Sequence, residues 1–322
     1  MADNADKTLD LICFPGAPNL PIFVAQEKGF FDAAGVTIKL TTTPNSAYQA
    51  ENLANGTFQI AGTAFDNVVA YQEGQGAVTL KSPPDFFAFM GATQIELAFI
   101  TAPDVKSYND LKGKTLALDA LSTGFAFVLY EMLKRNGLTK SDYEMVAVGA
   151  TPQRWESVKA GTHAGTLTIE PFTSIAKAQG FNVLDTSGNV YPSYQGGSFA
   201  ARRSWAAKNP DALKGFIKGY LAGLDWTLDP QNQEEGTQIL LRNMPEIKPA
   251  VAGAVMKSLL SPKSGLTPHG AILHEGVQTV LDLRSTYGSG KAKLVNPEKY
   301  IDLQYYNDVA ENAPTLPEPP AY

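Results

Sequence analysis

Short apolar runs alternate with helical stretches along the first two thirds of this chain. Residues 8–14, TLDLICF, form such a run and end in turn residues, the signature of a buried strand. Asn19 is placed to cap a helix, and Pro21 suits a first helical turn, where its missing N–H has no partner in any case. LPIFVAQEK carries that helix as far as Gly29, which can close it in a left-handed conformation. Val36, Ile38 and Leu40 then alternate with polar residues and predict a second strand. The unit is β-α-β, the repeat of a doubly wound sheet.

The pattern continues with a helix over 46–56 stopped by Gly56, a strand over 57–64 and a helix over 65–74. A long strand-like stretch, residues 86–100, is longer than the sheet of one domain usually needs. A strand over 114–119 leads through a short loop to a helix over 123–136 ending at Gly137, and another strand is expected at 144–149. A helix around PQRWESVKAG and a strand AGTLTIEP follow. LANGTFQIAGT (53–63) and VKAGTHAGTLT (158–168) echo one another, as two lobes built on related units would. Residues 92–100 and 195–200 are the places expected for strands that cross between lobes. From Asn209 and Pro210 onward the pattern is helical: Leu213, Phe216, Ile217, Tyr220, Leu221 and Leu224 make one apolar stripe for core packing. The chain closes on a Pro-rich tail, NAPTLPEPPAY.

Length and charge narrow the classes. A chain of 322 residues with 44% hydrophobic and 18% charged residues fits two globular domains. Its net charge of −6, without a long Lys/Arg run, gives no electrostatic footprint for nucleic acid or an anionic membrane. No apolar stretch approaches the roughly 18 residues that span a bilayer. The start, MADNADKTLD, lacks the basic and apolar regions of a secretion signal. That start fits a cytosolic protein, or one whose signal has been replaced by an initiating Met. Cys13, the single cysteine, lies in the first strand pattern, where a small buried hydrophobe is expected rather than a reactive thiol.

Catalytic signatures are missing. LKGKT has the end of a phosphate loop, but Tyr108 occupies the place of the first Gly. His269 and His274 are five apart beside Pro268 and Gly270, and so do not present two ligands on one helix face. His163 sits in a Gly-Thr turn, where a surface role is expected, and no acidic spacing singles out an acid–base pair. No metal site or cofactor is expected.

Several strand ends instead run directly into helix starts: Asn19, Asn45–Ser46, Thr63–Asp66 and Ser122–Thr123–Gly124. In open α/β sheets ligands bind at these carboxyl ends, where unpaired N–H groups face the ligand. Ser122 is also placed to cap its helix, a role compatible with binding.

FPGAPNLPIFVAQEKGFFDAAGVTIKL, LANGTFQIAGT, LKGKTLALDALSTGFAF and IEPF together resemble the substrate-binding proteins of ABC transporters. The likeness is narrowest to the taurine, alkanesulfonate and nitrate group, which includes binders of thiamine-pyrimidine precursors. It covers residues 8 to about 230. Gln59 and the AGTHAG stretch depart from it where that group carries an acidic turn residue.

The resemblance implies an α/β, two-lobed periplasmic-binding-protein fold of type II, with two crossing hinge strands. Lobe I would comprise residues 1–95 and 198–322, and lobe II residues 96–197. Ligand contacts would come from Pro18, Asn19, Asn45, Ser46, Thr63, Asp66, Ser122, Thr123, Gly124, Glu170 and Pro171, with Gln94 and Gln195 near the crossings. The implied function is extracytoplasmic capture of a small organic molecule by hinge closure and its delivery to ABC permease subunits. The protein would be a monomer whose signal peptide has been removed, and not an enzyme.

The ligand-facing loops carry no Lys or Arg. Arg154, beside Trp155, is the nearest cation, although a surface or salt-bridge role is commoner for such a residue. Phe14, Tyr48, Phe65, Phe125 and Tyr194 are candidates for an aromatic lining, while Asp66, Asp119 and Glu170 would favour donors. An aromatic or heteroaromatic acid, or a sulfonate, is the expected ligand class. The alternative is a cytosolic enzyme of the same fold acting on a thiamine-pyrimidine-type metabolite, against which the lone Cys13 weighs. A sensor domain would need DNA-binding or membrane segments that these residues do not contain.

Overall fold

The computed structural model describes residues 8–81, 84–290 and 292–310. The opening residues and the Pro-rich tail fall outside them. Ten strands form two five-stranded sheets: β1 (Thr8–Cys13), β2 (Thr37–Thr42), β3 (Ile60–Ala64), β4 (Phe86–Thr93), β5 (Ala98–Thr101), β6 (Lys114–Leu118), β7 (Tyr143–Ala147), β8 (Gly165–Thr168), β9 (Asn182–Thr186) and β10 (Gly197–Arg202). The first sheet has the order β2-β1-β3-β10-β4 and the second β7-β6-β8-β5-β9. Each follows one plan. Three parallel strands are followed by an antiparallel one, β10 or β5, and then by an outer strand paired to it.

The antiparallel member of each sheet is where the chain passes over from the other. The strand-like run at 86–100 is therefore two strands in different sheets. The break lies at 94–97, where Ile95 takes a left-handed φ of 53°, uncommon for a β-branched residue. Side chains hold this crossing: Thr93 Oγ1 donates to Gly265 O and accepts from Ile95 N, and Leu97 N donates to Ser187 Oγ. The return passage, 187–196, begins with a short helix, Ser187–Val190, that the sequence pattern did not suggest.

β4 is apolar without alternation because both its faces are covered. Phe87 and Phe89 pack with Phe199, Phe216 and Tyr220 on one side of the first sheet. The stripe on helix Pro210–Leu228 is buried at Leu213, Phe216, Ile217, Tyr220 and Leu224, with Leu221 half-buried. This helix approaches helix Leu20–Glu27 so closely that a Cβ on Gly223 would lie 2.3 Å from Pro21 O and 2.9 Å from Ala25 Cβ. Gly223→Ala is expected to cost about 1–3 kcal/mol through this overpacking, seen as a lower urea midpoint; an unchanged midpoint would mean that the helices are free to separate. In the second lobe Ile100, Trp155, Phe172 and Ala176 form a smaller core. Among the described residues no helix is long and apolar enough to cross a membrane.

Candidate binding cleft

The carboxyl ends of both sets of parallel strands face each other across a cleft. At its centre is a cavity of about 90 Å³ that opens to solvent. The first lobe contributes Phe14, Gly16, Pro18 and Asn19 after β1, Thr63 and Asn67 around the end of β3, and Ser198 and Phe199 of β10. The second lobe contributes Asp119, Thr123, Gly124 and Phe125 after β6, Thr151 and Arg154 of helix Thr151–Lys159, and Ile169 after β8. Ile95, at the crossing, forms part of the floor. Backbone bonds join the lobes around it: Ala17 N donates to Glu170 O and Ala150 N to Pro44 O, each at 2.9 Å.

Five of the residues singled out by sequence line this cavity: Pro18, Asn19, Thr63, Thr123 and Gly124. The other six do not. Asn45 caps helix Ser46–Ala54, its Oδ1 accepting from Tyr48 N at 2.7 Å. Ser46 is buried at the seam, its N–H pointing to the Asp119 carboxylate at 3.2 and 3.3 Å. Asp66 is 1% exposed and pairs with Arg284, a residue 218 positions away. Ser122 presents its carbonyl to Arg284 rather than a hydroxyl to the cavity. Glu170 and Pro171 lie behind Ile169. Glu170 accepts from Ser174 N and Oγ, burial raises its carboxyl pKa, and its side chain faces a second, wider groove.

Two expected caps also differ. The Asn19 amide does not cap the helix but donates to Phe14 O at 2.9 Å, bracing the loop across its own turn. The residue that precedes helix Gly124–Arg135 is Thr123, not Ser122, and its Oγ1 donates to Ala120 O. Of the aromatic candidates Phe14 and Phe125 reach the cavity. Phe65 is core, Tyr194 is buried by the groove and Tyr48 is exposed. Gln94 lines the groove, and Gln195 is wholly buried with its amide bonded to Gly197 O and Leu273 N.

Arg154 corrects the expectation of a surface residue. It is 3% exposed, lines the cavity and has no carboxylate within salt-bridge distance among the described residues. Its hydrogen bonds go to neutral oxygens: Gly149 O, Leu167 O, Thr151 Oγ1 and Thr166 Oγ1, at 2.8–3.1 Å. Burial pulls its pKa down to about 10, offset in part by Asp119, so it remains a cation at neutral pH. On the opposite wall, Asn67 Nδ2 donates to Thr63 Oγ1. Asn19 and Asn67 thus use their nitrogens on protein oxygens and leave their carbonyl oxygens for a ligand. Asn67, Thr151 and Ser198 carry no distinguishing sequence signal. The strand end before helix 151–159 was the one clue to Arg154.

Cys13 lies beneath the cavity, with its Sγ 2.6 Å from where a Cβ on Gly62 would stand. Burial raises its pKa to about 12. Native protein is therefore expected to be inert to a thiol-reactive dye at pH 8, with one equivalent reacting in denaturant; rapid labelling of folded protein would contradict this burial. Among the described residues no group of three His, Cys, Asp or Glu could hold a metal ion.

The same arrangement of sheets and cleft recurs in known proteins. Residues 18–233 match the family model described as NMT1/THI5 like. The chain belongs to the NMT1/THI5-like family. It is similar to the riboflavin-binding protein RibY of Chloroflexus aurantiacus, 25% identical over 262 residues, covering 76% of this chain and 70% of RibY. Among solved structures, the periplasmic nitrate-binding protein NrtA of Synechocystis superposes with a TM-score of 0.79 at 16% identity, over 96% of this chain and 90% of NrtA. The alkanesulfonate-binding protein SsuA of Xanthomonas axonopodis, bound to MOPS, gives 0.70 at 15% identity, over 87% of this chain and 93% of SsuA. The fold of this NMT1/THI5-like chain is thus the type II periplasmic-binding-protein fold.

Proposed function

We propose that this protein is an extracytoplasmic solute-binding protein of an ABC import system, and that it takes a small planar organic molecule between its lobes. The observation that carries this reading is the cavity itself, walled by both lobes where their strand ends and helix starts meet. RibY, NrtA and SsuA, binding proteins by name, support it. The solute bridges the lobes and favours their closed arrangement to the extent that it binds that arrangement better than the open one. The closed form then delivers it to the permease. No catalytic step is assigned to this cleft.

The lining supports a particular solute chemistry. Phe14, Phe125, Pro18, Ile95 and Ile169 suit the faces of a ring, and the Asn19 and Asn67 carbonyls suit N–H donors along one edge. Arg154 suits an anionic or carbonyl group at the other. A heteroaromatic acid or an aromatic sulfonate meets all three demands.

A thermal-unfolding screen tests this with riboflavin, aromatic sulfonates, MOPS, nitrate, pyrimidines and aromatic carboxylates at 1 mM each. A solute with a dissociation constant near ~1 μM stabilises the fold by roughly 4 kcal/mol. A shift confined to planar heteroaromatic or sulfonate compounds is the expected outcome; a shift with nitrate or aliphatic compounds alone would refute the ring-binding reading.

A further inference from the structure

One edge of the cleft is held shut by a helix that the binding reading does not use. Helix His274–Tyr287 follows the return crossing in the chain, yet it packs on two helices that face each other across the cleft, Phe65–Gln72 and Gly124–Arg135. Its start is fixed to the crossing. Leu273 N donates to Gln195 Oε1 at 2.8 Å, and a Cβ on Gly276 would come within 2.5 Å of Gln195 N. Its end rests on the second lobe, where Tyr287 stacks on Phe127 with ring centroids 5.9 Å apart and donates its hydroxyl hydrogen to Glu131.

Arg284 lies between these anchors with its side chain wholly buried. Nε and Nη2 bond the two carboxylate oxygens of Asp66 in the first lobe, Nε to Oδ1 at 2.9 Å. Nη2 also donates to Ser122 O in the second lobe at 2.8 Å, and the guanidinium lies 4.5 Å from the centre of the Phe127 ring. Gly124 is packed so tightly on Asp66 that a Cβ there would sit 2.5 Å from Asp66 Cβ. Val277, Val280 and Leu281 join Val68 of the first lobe and Phe127 of the second in one continuous core.

The opposite edge is different. There helix Phe172–Ala178 of the second lobe packs on helix Pro249–Leu259 beside the wide groove, which Lys177, Lys257 and Lys263 rim. Among the described residues no side-chain hydrogen bond or ion pair joins those two helices.

We infer that helix His274–Tyr287 is a third connection between the lobes, with Arg284 as a positioning residue that pins the Ser122–Phe125 turn to the first lobe, so that the cleft opens along the groove edge only. Opening at Arg284 would orphan a buried ion pair and split an apolar core, both costly. Opening at the groove separates helix Phe172–Ala178 from helix Pro249–Leu259 and breaks the bond from Ala17 N to Glu170 O, but it orphans no buried charge, so it is the less costly of the two. Because Thr123, Gly124 and Phe125 line the cavity, Arg284 also fixes one wall of the solute site in advance of binding.

The test is amide hydrogen exchange with small-angle scattering on ligand-free protein, so it is decided separately from whether any solute binds. In the wild type the amides of Phe127–Tyr130, the first in this helix with hydrogen-bond partners, are expected to exchange as slowly as those of β6, and those of Ser174–Ala178 faster. The double variant Asp66→Asn/Arg284→Met removes both buried charges while keeping volume. It is expected to accelerate exchange at Phe127–Tyr130 by about 10- to 100-fold, as loss of a hydrogen bond to a charged group would, and to enlarge the radius of gyration. The amides of β1 and β6 should change by less than about 3-fold, a difference too small to signal loss of the fold. Uniform acceleration that includes β1 and β6 would show a merely structural pair, and no acceleration would show no lock; either overturns the inference. Tyr287→Phe reads the same edge through one hydroxyl should the double variant fail to fold. It is expected to speed exchange at Phe127–Tyr130 and not at Ser174–Ala178, and the reverse pattern would overturn the proposal.

Discussion

Asp66→Ala should lower the free energy of unfolding by about 3–5 kcal/mol, the cost of leaving one member of a buried ion pair without its partner. Asp66 and Arg284 are 1% and 0% exposed at the side chain, and Asp66 is the only carboxylate paired with Arg284 among the described residues. With the carboxylate gone, the guanidinium keeps Ser122 O and the Phe127 ring, and long contacts to Gln75 at 3.5 Å. None of these carries a negative charge. Urea denaturation measures the loss directly. A change below about 1 kcal/mol, the level of an exposed ion pair, would mean that water reaches this pair and that the seam between the lobes is not packed as described. Asn67→Ala, one residue along, offers the contrast. It removes one hydrogen bond, to Thr63 Oγ1, worth about 1 kcal/mol, but takes an acceptor from the cavity wall.

Arg154→Met should weaken binding of an anionic solute by about 2–5 kcal/mol, or about 30- to 4,000-fold, the range for truncating one partner of a buried charged contact. The effect is large because, among the described residues, no carboxylate lies within salt-bridge distance of Arg154, and Asp119 acts on it only from farther away. Its charge is held by four neutral oxygens and is available to a ligand. The variant also strands the carbonyls of Gly149 and Leu167, a loss of about 1–3 kcal/mol in stability each, offset in part because no charge is then desolvated. Calorimetric titration separates the two effects. Loss of stability with affinity intact within about threefold, less than the roughly 1.4 kcal/mol of a tenfold change, would place the acidic group of the solute elsewhere.

The sheets were legible because their signals are local. Val36, Ile38 and Leu40 alternate, β1 and β4 are short apolar runs, and Gly29 and Gly137 close their helices with positive φ. The exact break at Ile95 was legible only as a crossing somewhere in 92–100, since an apolar run looks the same whether it serves one strand or two. What divides it is the Thr93 hydroxyl bound to Gly265, 172 residues away. The cavity divides in the same manner. Pro18, Asn19, Thr63, Thr123 and Gly124 could be read from strand ends that run into helices, because position in the fold alone puts them at the cleft. Asp66 stands in an equally good place, but whether such a carboxylate meets a solute or an arginine depends on a helix that the local pattern cannot see. Arg154 fails in the other direction. Its helix has a polar sequence typical of a surface element, and it is the burial of Thr151, Trp155 and Val158, with Trp155 packed against Phe181 at 4.8 Å, that turns this face inward.

The most direct test of solute binding between the lobes is calorimetric titration of the wild type and of Asn67→Ala/Thr123→Ala with the compound that raises the unfolding midpoint most. One solute per chain and at least about tenfold weaker binding by the variant, roughly the worth of one hydrogen bond or more, are the expected results. Equal affinity for the two proteins, or binding at several sites per chain, would contradict a single cavity at the meeting of the strand ends.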